Sequence, residues 1–186
     1  MKILILTGDA GESLEIYYPK FRLEEEGWQV SIAAPAHRVF ASVVHDFEPG
    51  FDTYTEKPGY RVQADISFAE VEPELFDAIV LPGGRAPEYL RNNPVVIQIV
   101  QHFMITKKPI ATNCHGPLIL FAAGLEPGRS MTAYPDLALD VLNSKIQYKN
   151  EPVVVDGNIV SVRGWPDNSI WMREFVKLVK GAVERA

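Results

Sequence analysis

The chain of 186 residues is 47% hydrophobic and 23% charged, which fits one domain over residues 1–186 with a full core. Its net charge of −6 argues against a nucleic-acid surface, which needs clustered Lys and Arg, and no apolar run approaches the length of a membrane span. The one cysteine excludes an internal disulfide and suits a reducing compartment, so we expect a cytoplasmic protein without nucleic-acid or membrane partners.

The first part of the chain alternates apolar strands with an amphipathic helix. Continuous apolar runs at 2–7, 28–35 and 77–84 are typical of strands buried on both faces of a parallel sheet. The helix predicted over 13–26 ends at Gly27, because glycine commonly terminates helices. We expect this helix to turn one apolar face to the core, formed by Leu14, Tyr17, Tyr18, Phe21 and Leu23.

The rest of the chain interrupts this alternation once and then resumes it. Residues 36–64 hold two extended segments around a turn-rich stretch, which we interpret as a small excursion from the main sheet. A helix over 93–107, a strand and helix around Cys114, two short strands around Asp156-Gly157 and a last helix from Pro166 follow. The alternation predicts a flavodoxin-like, doubly wound α/β fold, with a mostly parallel sheet and helices on both faces.

Cys114 is the first candidate for chemistry. Within KKPIATNCHGPLILFAAG (107–124) it falls between a buried strand and a helix, a corner that exposes a nucleophile at the carboxyl edge of a sheet. Unpaired N–H groups and the positive end of the helix should lower the thiol pKa below its free value of about 8.5. The alternative is a small buried apolar residue. His115, directly after it, favours a reactive site because histidine moves protons near neutral pH.

Four segments, taken in order, resemble the PfpI-type superfamily: GDAGESLEIYYP (8–19), VLPGGRAPEYLR (80–91), ATNCHGP (111–117) and PVVVDGNIVSVR (152–163). This superfamily belongs to the class I glutamine amidotransferase-like fold and includes the parkinsonism-associated deglycase and the plant glyoxalase III enzymes. The excursion VVHDFEPGFDTYTEKPGYRVQADISF is closest to the plant-type glyoxalase III branch. The resemblance implies a nucleophile elbow at ATNCHGP and assembly into a homodimer or a larger homo-oligomer.

The resemblance also implies roles for individual residues. Cys114 matches the family nucleophile, Glu12 the carboxylate that contacts its sulfur, and His115 a candidate proton shuttle. The backbone N–H groups of Gly83 and Gly84 match the loop that faces the site, and with the N–H of His115 they would form an oxyanion hole. Because two adjacent anions repel, we expect Glu12 to be protonated and Cys114 to be ionised.

Some positions extend the family pattern and others depart from it. Glu74 matches an acidic residue that, in peptidase-like members, reaches the histidine from a neighbouring subunit. Asn113 stands where a small or apolar residue is common, which puts the hydrogen bonding around Cys114 in question. Gly11 stands where an acidic or bulky residue is common, which puts the placement of Glu12 in question. Further candidates for the pocket wall are Glu15, as a support of Glu12, and His45, Arg85 and Trp165.

The leading prediction is a cofactor-free enzyme that acts on reactive 2-oxoaldehydes. Cys114 would add to the aldehyde of methylglyoxal, and Glu12 or His115 would move protons to give lactate without glutathione; related deglycases act on early glycation adducts. One alternative is a cysteine peptidase or amidase that uses Cys114 and His115 with Glu74 of a neighbouring subunit. Another is a peroxide sensor that works through oxidation of Cys114. The sequence contains no metal-ligand or nucleotide-binding motif, so we expect neither a metal nor a nucleotide cofactor.

Overall fold

A computed structural model describes residues 1–184 of the chain. Strands and helices alternate along most of it, as the sequence predicts. In chain order the elements are β1 (Lys2–Leu6), α1 (Ser13–Glu25), β2 (Gln29–Ala34), β3 (Val39–Asp46), β4 (Thr55–Gln63), β5 (Ile66–Ser67), β6 (Ala78–Leu81), α2 (Ala86–Leu90), α3 (Pro94–Ile105), β7 (Ile110–Asn113), α4 (Pro117–Ala122), β8 (Ser130–Met131), α5 (Ala138–Asn143), β9 (Gln147–Tyr148), β10 (Val153–Asp156), β11 (Ile159–Val162) and α6 (Asn168–Val183).

Seven strands form one sheet in the order β10-β11-β7-β6-β1-β2-β5. Every neighbouring pair is parallel except β10 and β11, which pair antiparallel at one end of the sheet. This confirms the flavodoxin-like, doubly wound α/β fold. Because β1, β6 and β7 are neighbours and parallel, the segments that follow them meet at one edge of the sheet. That edge therefore collects residues 7–12, 82–85 and 114–115.

The sheet is covered on both faces because its strands are apolar on both sides. In β1, Ile3 and Ile5 pack with the core residues of α1 and α6, whereas Leu4 and Leu6 pack with those of α3 and α4. Trp171 of α6 is completely buried in the first of these layers. None of the helices described between residues 1 and 184 combines the length and the apolarity needed to cross a membrane.

The apolar face predicted for α1 is mostly wrong. The structure buries Ile16, Pro19 and Leu23, whose spacing of three and four residues places them on one side of a helix. The four predicted core residues other than Leu23 lie at least partly in solvent: Leu14, Tyr17, Tyr18 and Phe21. The buried side also carries acidic residues of the candidate site, so hydrophobicity alone points to the wrong face.

The predicted excursion is confirmed as an antiparallel hairpin of β3 and β4, separate from the main sheet. We call it the β3–β4 hairpin. β4 begins at Thr55, earlier than the turn-rich composition indicates, because Thr55–Pro58 pairs with Val43–Asp46. The hairpin is hydrogen-bonded to the segment after β1, where Val43 N–H donates to the carbonyl of Gly11 (2.9 Å) and Ala10 N–H donates to that of Ala41 (2.8 Å). It is thereby fixed beside the carboxyl edge of the sheet.

Candidate active site

Cys114 follows β7 directly and has a left-handed backbone, with φ of +54°. Its N–H donates to the carbonyl of Val162 in β11 (3.2 Å), and its own carbonyl accepts from Tyr134 N–H (3.1 Å). A strand followed by a left-handed residue and a helix is the geometry of a nucleophile elbow. The side chain is only 5% exposed, however, so the expectation of an open, exposed thiol is wrong.

The electrostatics of Cys114 also differ from the prediction. Burial, followed by the charge of Glu15, raises the pKa of the thiol well above its usual range. Hydrogen bonds from the N–H groups of Gly84 and His115 lower this pKa, but burial and the charge of Glu15 outweigh them. The helix that was expected to favour the thiolate is only six residues long and begins at Pro117, three positions beyond the sulfur. The resting thiol therefore keeps its proton.

Glu15, not Glu12, is the carboxyl group that lies against the nucleophile. Its Oε2 accepts a hydrogen bond from Gly83 N–H (2.7 Å). A methyl group added at Gly83 would lie 2.7 Å from this oxygen and 2.5 Å from Cβ of Cys114, so both side chains pack on the same glycine. Glu12 instead caps α1, with its Oε2 accepting from Glu15 N–H (2.8 Å). The sequence analysis expects Glu12 beside the sulfur, but Glu15, one helical turn later, occupies that position.

Both glutamates hold their protons more tightly than an exposed carboxyl group does. Burial, and then the charge of Glu12, raise the pKa of Glu15 well above its usual range. Burial raises the pKa of Glu12 to about 7, against the N–H groups of Glu15, Leu14 and His45. A protonated Glu15 removes the charge that disfavours the thiolate and leaves an acid beside the sulfur. The predicted pairing of a neutral carboxyl group with the cysteine thus moves from Glu12 to Glu15.

His115 touches the sulfur directly. Its Nδ1 lies 3.2 Å from Sγ of Cys114, although the two residues are neighbours in sequence. The imidazole stacks on Tyr134 with 5.5 Å between ring centroids and meets the edge of Tyr54 at 6.0 Å. Burial, and then the charge of His45, lower the pKa of His115 to about 4. The ring is therefore neutral at pH 7 and can accept a proton from the thiol.

The predicted oxyanion hole needs one change. The N–H of Gly83 is already donated to Glu15, so it is not available to an oxygen of a substrate. The N–H groups that act on the sulfur are those of Gly84 and His115, which lower the pKa of Cys114. These two donors remain as candidates for stabilising negative charge that develops next to the sulfur.

Replacing Gly84 with Ala should lower the free energy of unfolding by about 3–4 kcal/mol. Gly84 has φ of +74°, and an added methyl group would collide with the Ala10 carbonyl and with Glu12 N (2.5 Å). Gly27 is the matched control, because its φ is +76° and nothing lies within 4 Å of its added methyl group. Gly27→Ala should cost only about 1 kcal/mol in urea denaturation. Equal losses in the two variants would contradict the collision.

The two departures from the family pattern have structural explanations. Asn113 is fully buried, and its Nδ2 donates to Oδ1 of Asn168 (2.8 Å), whose own Nδ2 donates to the Leu14 carbonyl (3.0 Å). This line joins the nucleophile strand to α6 and α1. Gly11 packs closely, because a methyl group there would lie 2.9 Å from Cδ1 of Ile16 and would also strike the Thr7 hydroxyl. Gly11 therefore helps to fix the start of α1 rather than loosening it.

Arg85 is bound to the β3–β4 hairpin and is not free to hold a substrate carboxylate. Its Nε and Nη2 donate to Oε2 and Oε1 of Glu56 (2.7 and 2.9 Å). Oε2 of Glu56 also lies 2.8 Å from Nε2 of His45. Trp165 donates from Nε1 to the carbonyl of His45 (2.6 Å), and its backbone N–H acts on Glu15. His45 and Trp165 thus lie next to residues of the candidate site, and their predicted role as pocket walls stays a prediction.

Glu74 lies away from Cys114 within the chain. It is an exposed residue of a short 3-10 turn that precedes β6, so it sits at the amino edge of the sheet. Its carbonyl accepts from Nζ of Lys108 (3.1 Å), a residue that precedes β7 at that same edge. Cys114 follows β7 at the opposite edge. A role for Glu74 beside His115 needs a neighbouring subunit and stays a prediction.

An aromatic cover over the site is formed by Phe47, Tyr54, Tyr134 and Trp165, and of these four residues the sequence analysis identified only Trp165. Ring centroids lie 5.3 Å apart between Tyr54 and Tyr134, 6.3 Å between Phe47 and Tyr134, and 5.9 Å between Phe47 and Trp165. Burial, and then the charge of Cys114, raise the pKa of Tyr54 to about 12, so its hydroxyl stays protonated. The aromatic residues of the excursion were the sequence signal from which this cover could have been predicted.

Within residues 1–184 no group of three His, Cys, Asp or Glu side chains is arranged to hold a metal ion.

Comparison with known proteins agrees with this architecture. Residues 1–178 match the DJ-1/PfpI family. Deglycase PH1704 of Pyrococcus horikoshii is 46% identical over 180 residues, which cover 97% of this chain and 100% of that protein. Protein DJ-1 homolog D of Arabidopsis thaliana is 38% identical over 185 residues, 96% of this chain and 47% of that protein. The putative cysteine protease YraA of Bacillus subtilis is 33% identical over 179 residues, 96% and 98% of the two chains.

A solved structure supports the fold. Drosophila melanogaster DJ-1beta superimposes with a TM-score of 0.79 at 22% identity, covering 98% of this chain and 97% of that one. The strand order and the elbow geometry described above, together with a sequence match that spans nearly the whole chain, lead to one assignment. The chain belongs to the DJ-1/PfpI family.

Proposed function

We propose that the chain is a cysteine-dependent, cofactor-free enzyme that acts on reactive 2-oxoaldehydes or on their early adducts with amines. The observation that carries this proposal is the contact between Sγ of Cys114 and Nδ1 of His115, with the Glu15 carboxyl group packed on the same side of Gly83. A nucleophile, a neutral base and a protonated acid are then grouped around the place where a substrate carbonyl would react. The names of the relatives, deglycase among them, support the same chemistry.

The first step is addition of Cys114 to the aldehyde carbon. As the carbon–sulfur bond forms, the thiol proton passes to Nδ1 of His115, and Glu15 gives its proton to the former carbonyl oxygen. The product is a neutral hemithioacetal, with a carboxylate and an imidazolium left beside each other. Because the site is buried, moving both protons in concert avoids an isolated charge.

The second step is an internal redox exchange between the two substrate carbons. The Glu15 carboxylate removes the proton from the carbon that carries the sulfur, and the resulting enediol is protonated on the neighbouring carbon. This oxidises the first carbon to a thioester and reduces the second to an alcohol. Water then cleaves the carbon–sulfur bond and releases a 2-hydroxy acid, which is lactate when methylglyoxal is the substrate, and the thiol is restored. In an adduct with an amine, the carbon–nitrogen bond of the hemiaminal breaks first, its hydroxyl proton passes to the nitrogen, and the free amine leaves the aldehyde that Cys114 then attacks.

A cysteine peptidase or amidase is the second candidate, because the contact between Cys114 and His115 also fits a thiol–imidazole pair. The relative named as a putative cysteine protease supports it. This activity needs an acidic group to orient His115, and Glu74 can supply one only from a second subunit of a homo-oligomer. A peroxide sensor is less well supported, since the thiol is buried and its pKa is raised.

Product analysis by proton NMR tests the proposal. The protein is incubated in phosphate buffer in deuterium oxide with methylglyoxal, with a glycated N-acetyl amino acid, or with an unstructured peptide. We expect lactate from free methylglyoxal, with deuterium on its second carbon when the removed proton exchanges with solvent. Lactate formed only from the amine adduct would restrict the activity to deglycation. Peptide cleavage without any lactate would overturn the proposal and support the peptidase.

A further inference from the structure

His45 lies beside the candidate site and is held by an ion pair. The residue is 2% exposed, and its Nε2 lies 2.8 Å from Oε2 of Glu56. Hydrogen bonds from Arg85 and His45 lower the pKa of Glu56 to about 2 despite its partial burial, so this carboxyl group is an anion. An anionic carboxylate only accepts, and Nε2 of His45 must therefore carry the hydrogen. In the neutral ring Nδ1 is then left with a lone pair.

The lone pair on Nδ1 accepts no hydrogen bond within the part of the chain that the structure describes. Nδ1 of His45 is buried and has no hydrogen-bond partner among residues 1–184. Buried polar atoms are nearly always paired, so an unpaired acceptor indicates a place for a donor from outside the chain. Arg85 and Glu56 fix the tautomer that presents this acceptor, and they act as positioning residues.

The ring of His45 belongs to the same wall as the reactive residues. It stacks on Tyr54, with 4.1 Å between the ring centroids. Tyr54 in turn contacts His115 edge to face, with 6.0 Å between their centroids. Trp165 anchors the His45 backbone through its indole N–H. One aromatic ring, that of Tyr54, therefore separates His45, which carries the unpaired acceptor, from His115, which contacts the sulfur.

We propose that Nδ1 of His45 accepts a hydrogen bond from a hydroxyl group on the substrate, and that it makes the enzyme prefer carbonyl compounds that carry one. This rests on the proposed function and specifies its substrate class. A site built to accept from a hydroxyl group discriminates strongly against an analogue without it, because the acceptor is then left buried and unpaired. Hydroxylated 2-oxoaldehydes and sugar-derived carbonyl adducts belong to the preferred class.

Two substitutions of His45 separate its nitrogens. His45→Gln places an amide donor near Nε2, which keeps the contact with Glu56 and removes the acceptor. His45→Asn places its side-chain oxygen near Nδ1, which keeps an acceptor and removes the contact with Glu56. The substrates are hydroxypyruvaldehyde and methylglyoxal, which differ by one hydroxyl group. We expect the ratio of their kcat/KM values to fall about tenfold in His45→Gln and to recover at least partly in His45→Asn. An unchanged ratio in His45→Gln would overturn the proposal.

A binding measurement makes the test independent of turnover. In a Cys114→Ser protein with ¹⁵N-labelled histidine, hydroxyacetone should shift the lone-pair nitrogen of His45, whereas acetone should leave it in place. No shift with hydroxyacetone would reject the inference, including the case in which a tightly held water already occupies the acceptor. If neither aldehyde is turned over by the wild type, the proposed function fails, and the NMR shift still decides whether His45 recognises a hydroxyl group.

Discussion

Replacing Cys114 with Ser is expected to lower kcat/KM for methylglyoxal by roughly a thousandfold or more. The hydroxyl group is a far weaker nucleophile toward a carbonyl carbon, and it gives up its proton much less readily than a thiol does. Serine differs by one atom and leaves the backbone bond to Val162 intact, so the fold should survive. The measurement is the initial rate of lactate formation, followed by NMR.

The control for this variant is its own stability and binding. Its urea midpoint should stay close to that of the wild type, because one sulfur atom is replaced by oxygen at a single buried position. Mass spectrometry should find an adduct on the wild-type chain after aldehyde treatment and cold quenching, and none at this site in Cys114→Ser. Lactate produced by both proteins at equal rates would remove the covalent mechanism.

Replacing Glu15 with Gln is expected to lower kcat about 10²–10⁴-fold, the usual contribution of a positioned general acid or base. Glutamine still offers an oxygen to Gly83 N–H, so the hydrogen bond at 2.7 Å can be kept. It has no proton to transfer to the substrate oxygen and no carboxylate to remove the carbon-bound proton. At a pH high enough to ionise Glu15 in the wild type, the variant should also show a lower pKa for Cys114, because the charge of Glu15 is one of the causes that raise it.

Glu12→Gln is the matched control, since it makes the same change one helical turn earlier. The amide oxygen can still cap α1 by accepting from Glu15 N–H, and we expect a loss in kcat of less than about tenfold. Alkylation of the thiol as a function of pH gives the second readout, with a lower apparent pKa expected in Glu15→Gln. A larger loss of activity in Glu12→Gln than in Glu15→Gln would return the acid role to Glu12.

The sequence was sufficient for the sheet and the elbow because both depend on local patterns. Buried strands at 2–7 and 77–84 and the strand–cysteine–helix corner are encoded in continuous runs of residues. The choice between Glu12 and Glu15 depends instead on a contact between segments that are far apart in the chain. Both follow β1, and residues three apart share one face of a helix, so only the approach of the Gly83 loop decides between them.

The exposure and charge of Cys114 could not be predicted for a related reason. Its surroundings come from segments far apart in the chain: Tyr54 from the β3–β4 hairpin, Tyr134 after β8 and Trp165 before α6. No short-range pattern records that Tyr54 and Tyr134 meet at His115, or that Trp165 binds the backbone of His45. Desolvation by distant neighbours then outweighs the local helix end that the sequence does show.

The position of β11 has a consequence for the order of synthesis. β11 lies between β10 and β7 in the sheet, and it supplies the Val162 carbonyl that binds Cys114 N–H. Asn113 likewise binds Asn168 at the start of the final helix. A ribosome that has released only the residues up to the cysteine has therefore produced a strand with one edge unpaired. The reactive corner takes its shape only when the last elements emerge, so the thiol is sheltered in the finished molecule but not in the growing one.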